Sequence, residues 1–185
     1  MEAGFLTAEQ IGSRKVVTIN FNNFPDDNKV LFLLGLSEKV LSVFSQTEDR
    51  SAAQYVIEQC WEWLEEKDNR GGTLYDLLDN EENGITIIQE MAADEVEATA
   101  WNCIIDAAAY TSRKAFDREG AMYYPEPIAL VDDTLVNHFI ECFKRIIVDA
   151  QFYIQQIVSM LDEYPNPKMI SDRRNKILTE LHILD

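Results

Sequence analysis

Positive charge is scarce in this chain: 16 Lys and Arg stand against 33 Asp and Glu, with two His in 185 residues. A surface of that sign repels nucleic acid and anionic membranes, and excludes both as partners. Only His138 and His182 are present, and neither H-E-x-x-H nor the di-iron E-x-x-H pattern occurs. No cofactor or metal is therefore expected. Long apolar runs are missing too. The longest, Val30–Leu36, is interrupted by Gly35 and falls far short of the ~20 residues of a membrane span. The first residues, MEAGFLTAEQIGSRK, lack a basic segment followed by an apolar one, so they do not read as a signal peptide. Cys60, Cys103 and Cys142 are odd in number and far apart, which argues against a disulfide or zinc framework. Each lies in an apolar helical context, so reduced, buried thiols in a cytoplasmic protein are expected.

What is present is helical periodicity. At 185 residues and 46% hydrophobic, the chain is long enough for one domain with its own core. Asp94–Glu119 has no Gly or Pro and six alanines, and apolar residues cover most of its circumference. Asn102, Asp106, Arg113 and Asp117 share its narrow polar wedge, with Arg113 and Asp117 spaced to pair. Such a helix is normally enclosed by others. The expected fold is all-α, a single-domain helical bundle of about five main helices around this buried central helix.

Other helices are expected from about Asp27 to Gln46, from Ser51 to Lys67, and over Leu74–Leu78 and Ile85–Ala93. A long one should run from Asp132 or Asp133 to Tyr164, roughly 45 Å, and a last one from Ser171 or Asp172 to Ile183. Gly35 marks a close helix crossing. Asn69-Arg-Gly-Gly72 supplies a glycine C-cap, and Gly120 closes the central helix. Met122–Pro127 is expected to be a rigid extended connection whose two tyrosines pack on the bundle. Val148 and Phe152, four apart on the back of the long helix, are either scattered exposed residues or a second contact. Residues 1–26 read as an arm, extended or partly disordered, with a capping box at Thr7–Gln10 and a strand-like alternation over Lys15–Phe21. Residues 27–185 form the helical domain.

No constellation carries a catalytic signature, and no enzyme is expected. His138 and Cys142 share a helix face, and a Cys–His pair can make a nucleophile. They flank Phe139 and Phe143 with the neighbouring acid, Glu141, pointing away, so packing is the expectation. Asp76, Asp79, Glu81 and Glu82 with Asn80, Asn83 and Gly84 superficially resemble a calcium loop, but the spacing is not met.

The negative charge is concentrated. Glu58–Glu97 holds 13 acidic residues against Lys67 and Arg70, a net −11 in 40 residues, which leaves −6 for the other 145. Such a field favours basic proteins, although acidity also serves solubility. Trp61 and Trp63 diverge on their helix, so one can be core while the other faces outward. An aromatic anchor inside a charged rim is a common binding hot spot. The candidate partner-binding residues are Glu58, Glu62, Trp63, Glu65, Glu66, Asp68, Asp76, Asp79, Glu81 and Glu82.

Three stretches resemble a known family: Lys29-Val-Leu-Phe-Leu-Leu-Gly-Leu-Ser-Glu-Lys39, Val56-Ile-Glu-Gln-Cys-Trp-Glu-Trp-Leu64, and Ile104-Ile-Asp-Ala-Ala-Ala-Tyr110. In that order they resemble the sixth immunity-protein family of bacterial polymorphic toxin systems, over about residues 27–150. They are also similar to a related small helical family of unknown function. The resemblance implies an all-α protein that binds and blocks a toxin encoded beside it. The acidity implies a basic toxin, and a nuclease fits because its active site receives phosphate. The alternative is a helical adaptor or regulator that binds another basic protein without catalysis.

Overall fold

The computed structural model describes residues 24–163 and 170–181. The N-terminal motifs, Pro165–Pro167 and His182 lie outside them. Nine α-helices occur among the described residues, and no strand: α1 Asp26–Val40, α2 Thr47–Glu66, α3 Gly71–Leu78, α4 Ile85–Glu90, α5 Glu95–Glu119, α6 Glu126–Ala129, α7 Thr134–Ile146, α8 Ala150–Glu163 and α9 Ile170–Glu180. The fold is all-α, and its buried apolar side chains, from Val30 to Leu181, form one contiguous core.

The expected central helix is α5, which packs against α1, α2, α3, α4, α6 and α7. Asp94 caps it by accepting the N–H of Glu97 at 2.8 Å, while Glu97 reaches back to the N–H of Ala93 at 2.9 Å. This reciprocal pairing satisfies donors that a helix start leaves open. Gly120, at φ 68°, ends the helix in the left-handed region, where glycine carries no Cβ penalty.

The most completely enclosed helix is α1. Every residue from Asn28 to Glu38 is buried, because α2, α5, α7, α8 and α9 all pack on it. Gly35 sits at the expected close crossing: a Cβ there would lie 2.9 Å from Ile157 of α8 and 3.0 Å from Ile177 of α9. Its two buried charges are paired, as burial requires. Lys29 donates to Asp133 at 2.7 Å; Glu38 accepts from Trp61 at 2.8 Å and Arg174 at 3.1 Å.

Several boundaries depart from expectation. The first helix gives way at Leu41–Val43 to a 3₁₀ turn. The continuous helix to Tyr164 is two helices: Ile147 turns extended and Asp149 takes φ 57°. Three consecutive β-branched residues, Ile146-Ile147-Val148, weaken helix propensity at that point. The apolar stripe persists across the break, since Val136, Phe139, Phe143, Ala150, Ile154, Ile157 and Leu161 are all buried. The break removes the helical register that would align Val148 with Phe152, and both are exposed. Lys67, not a glycine, caps α2 at φ 55°; Gly71 and Gly72 belong to α3. The 122–127 connection turns into α6, with Pro127 in the first turn, where its missing N–H costs nothing. Tyr124 packs edge-on against Phe116, but Tyr123 is 84% exposed.

Candidate functional site

The acidic segment occupies the C-terminal half of α2, α3, the turn after it and α4. Its hub is Arg70, in the α2–α3 connection. The guanidinium donates to Glu62 at 2.7 Å, Glu66 at 2.7 Å and Asp68 at 2.8 Å. Two of these acids sit one helical turn apart on α2, and the third follows just beyond the Lys67 cap. The bonds to Glu62 and Asp68 push the Arg70 pKa up. The other base of the segment, Lys67, donates to Asp27 at 2.6 Å and lies 4.2 Å over the Trp63 ring.

The structure brings Glu62, Glu66 and Asp68 together and leaves Glu65, Asp76, Glu81 and Glu82 exposed. Asp79 is exposed and accepts the Tyr75 hydroxyl at 2.6 Å, which raises the Tyr75 pKa. Glu58 is only half-exposed and is clamped by Arg174 of α9 through both terminal guanidinium nitrogens, Nη1 and Nη2. At the far end of the segment the carboxylates are spent internally: Asp94 and Glu97 on the α5 cap, Glu95 on Arg145 at 2.6 Å.

Trp63 is a correction. It is 1% exposed, roofed by Lys67, with its indole nitrogen buried and unpartnered among the described residues. It cannot serve as an exposed anchor. The reason is that α2 is flanked by α1, α3, α4, α5 and α9, so positions off its main stripe are covered as well.

A second polar cluster is legible in the sequence only as the His138–Cys142 pair, for which packing is the expectation. Asp106 projects from α5 to His138 of α7, Oδ2 to Nδ1 at 2.7 Å. The other imidazole nitrogen, Nε2, lies 3.7 Å from Sγ of Cys142. The thiol of Cys103 on α5 donates to the Phe139 carbonyl of α7 at 4.0 Å. Asp106 stands 32 residues from His138, so no local spacing announces it. All three cysteines are free and buried. No group of three or more His, Cys, Asp or Glu side chains among the described residues is placed to hold a metal ion. A third polar feature is an open cleft of about 360 Å³ lined by Arg113, Lys114, Val131, Asp132, Asp133 and Thr134. No helix of the described residues is long and apolar enough to cross a membrane.

A family model described as Immunity protein Imm6 matches residues 28–146, from α1 through α7 and including the whole acidic segment. No match to the chain was found among curated proteins or solved structures. The matched span is nearly two thirds of the sequence and carries the enclosed α1, the acidic α2–α4 region and the central α5. The chain belongs to the Imm6 family of immunity proteins.

Proposed function

We propose that this immunity protein binds and neutralises a cognate toxin domain through the carboxylates running from the end of α2 to the turn after α3, and that this toxin domain is basic, a nuclease being the class that fits. One observation carries the reading. All eight acidic side chains between Glu62 and Glu82 are exposed, while both basic residues in that span, Lys67 and Arg70, are already engaged within the chain. The surface is therefore unsatisfied in one sign only. Glu65, Asp76, Asp79, Glu81 and Glu82 enter no ion pair among the described residues and are the carboxylates most open to a partner's lysines and arginines. A nuclease active site, built to receive phosphate, offers the complementary charge.

Charge of this kind accelerates encounter more than it deepens affinity. The test is stopped-flow association with the toxin domain encoded beside this gene, at increasing salt, for the wild type and for Glu65→Lys/Glu81→Lys/Glu82→Lys. The expected result is an association rate that falls steeply with salt and drops about tenfold or more in the variant. Reversal of Glu126 and Glu141, outside this segment, serves as the control. Salt-insensitive association, or equal loss in the control, rules out this surface. Growth rescue on co-expression with the toxin reports neutralisation directly. Failure of rescue, with binding to another basic protein, would favour the adaptor reading.

A further inference from the structure

Helix α4 is held from one side. Ile85 is buried in the core and Ile88 packs against it. Thr86 donates its hydroxyl to the Leu78 carbonyl at 2.9 Å. Gln89 donates to the Ala98 carbonyl at 3.3 Å and to Oδ1 of Asn102 at 2.5 Å. These bonds tie α4 to the end of α3 and to α5. The other side carries Ile87, Glu90 and Met91. Ile87 and Met91 stand four residues apart, the spacing of one helix face, and Met91 keeps a near-helical backbone at φ −99°, ψ 8°. Met91 is 75% exposed and Ile87 37%, whereas the apolar stripes of α1, α2 and α7 are buried.

The surroundings of this face carry one sign. From Glu81 to Ala93 the chain has three acidic residues and no Lys or Arg. Glu90 shares the face, and Glu81 and Glu82 stand on the turn that leads into it. All three are exposed and enter no ion pair among the described residues. The turn itself is pinned: the N–H of Glu82 donates to Oδ1 of Asn80 at 2.9 Å, and the N–H of Gly84 to the Asn80 carbonyl at 2.9 Å. A surface held in this way loses little freedom when a partner docks.

We propose that Ile87 and Met91 are the apolar anchor of the toxin interface, seated in an apolar patch that lysines and arginines of a basic toxin domain surround. The assignment rests on the acidic surface being the one that meets the toxin, and it supplies what the buried Trp63 does not. Methionine adapts its shape to an irregular apolar surface and is enriched in interface cores. Anchors of this kind carry most of the binding energy of an interface. The two parts act at different steps. The carboxylates speed encounter, and the apolar pair slows dissociation.

The test uses the full chain and the toxin domain encoded beside its gene. Ile87→Ala/Met91→Ala should dissociate about tenfold or more faster than the wild type, with its association rate and salt dependence unchanged. Met91→Leu should dissociate as the wild type does. So should Met122→Ala, the control, because Met122 is 83% exposed but lies past the opposite end of α5. Circular dichroism melts check that each variant folds. Peroxide footprinting gives a second readout: Met91 of the free chain converts to its sulfoxide, and bound toxin should slow that conversion several-fold while Met122 reacts as before. The proposal is overturned if the double variant dissociates at the wild-type rate, if Met122→Ala costs as much, or if toxin leaves Met91 as reactive as in the free chain. Protection of Met91 in the free chain at rising concentration would assign the face to a second copy and overturn it as well. Salt-insensitive association with a protected Met91 and a fast-dissociating double variant would strike the acidic surface and keep the anchor. Salt-dependent association with an unprotected Met91 would do the reverse.

Discussion

The indole N–H of Trp61 on α2 donates to Oε1 of Glu38 on α1 across 2.8 Å, and the same oxygen receives Nη2 of Arg174 from α9 at 3.1 Å. One carboxylate oxygen thereby joins three helices. Burial pushes the Glu38 pKa up, and the pull of Arg174 and Trp61 does not fully offset it.

The sign of this shift sets a pH dependence. A carboxyl whose folded pKa exceeds its unfolded value binds more protons in the fold, so its contribution is most favourable below the unfolded value of 4.5. That contribution is lost as pH rises through the folded value. Glu38→Gln keeps an oxygen for Trp61 and cannot ionise. It should be as stable as the wild type or more so at pH 7, with the difference closing toward pH 4.5. Urea denaturation at both pH values decides this; a large loss for the variant at pH 7 would reverse the sign.

Trp63→Ala should cost about 3–5 kcal/mol of stability, as large buried aromatics do. Glu65→Lys, at an exposed side chain, should stay within about 0.5 kcal/mol. Thermal melts of the two variants separate the buried member of this helix end from the carboxylates around it.

Glycine substitutions should split in sign. At Gly72 an added Cβ meets nothing within 4 Å, so Gly72→Ala should gain about 0.4–1 kcal/mol by restricting the unfolded chain. At Gly84 it would lie 2.5 Å from the Asn80 nitrogen and 2.7 Å from the Leu78 carbonyl oxygen. Backbone cannot yield as a side chain can, and Gly84→Ala should lose about 1–3 kcal/mol. Denaturant midpoints measured side by side test the contrast.

Asp149 holds a left-handed backbone, φ 57°, at an exposed position between α7 and α8. Glycine adopts that conformation without a Cβ clash. Asp149→Gly should be neutral or stabilising by up to about 1 kcal/mol, whereas Asp149→Val should destabilise by at least about 1 kcal/mol. Equal effects of the two would mean that the break is not set by this residue.

The features legible in the sequence were those written in local spacing. The stripes of α1, α2 and α7–α8, the Gly120 stop and the Gly35 crossing follow from apolar periodicity and from single residues. The charge cluster followed from composition, and the i,i+4 spacing of Arg113 and Asp117 announced the pair they form at 3.0 Å. The α7–α8 break was hidden because an unbroken stripe outweighed the β-branched Ile146-Ile147-Val148. The burial of Trp63 depended on how many neighbours α2 would have, and the Asp106–His138 pairing on how α5 meets α7. Both are properties of the assembled bundle, which no window along the chain contains.

The enclosure of α1 also has an order in time. Gly35 is sealed by Ile157 and Ile177, residues of α8 and α9 that a ribosome adds more than a hundred positions later. At typical synthesis rates that delay is on the order of ten seconds. In the later part of that interval, once α2 and α5 have been made, the flank of α1 bearing Gly35 still lacks the two helices that cover it. The nascent protein thus exposes an apolar groove that the finished one does not have.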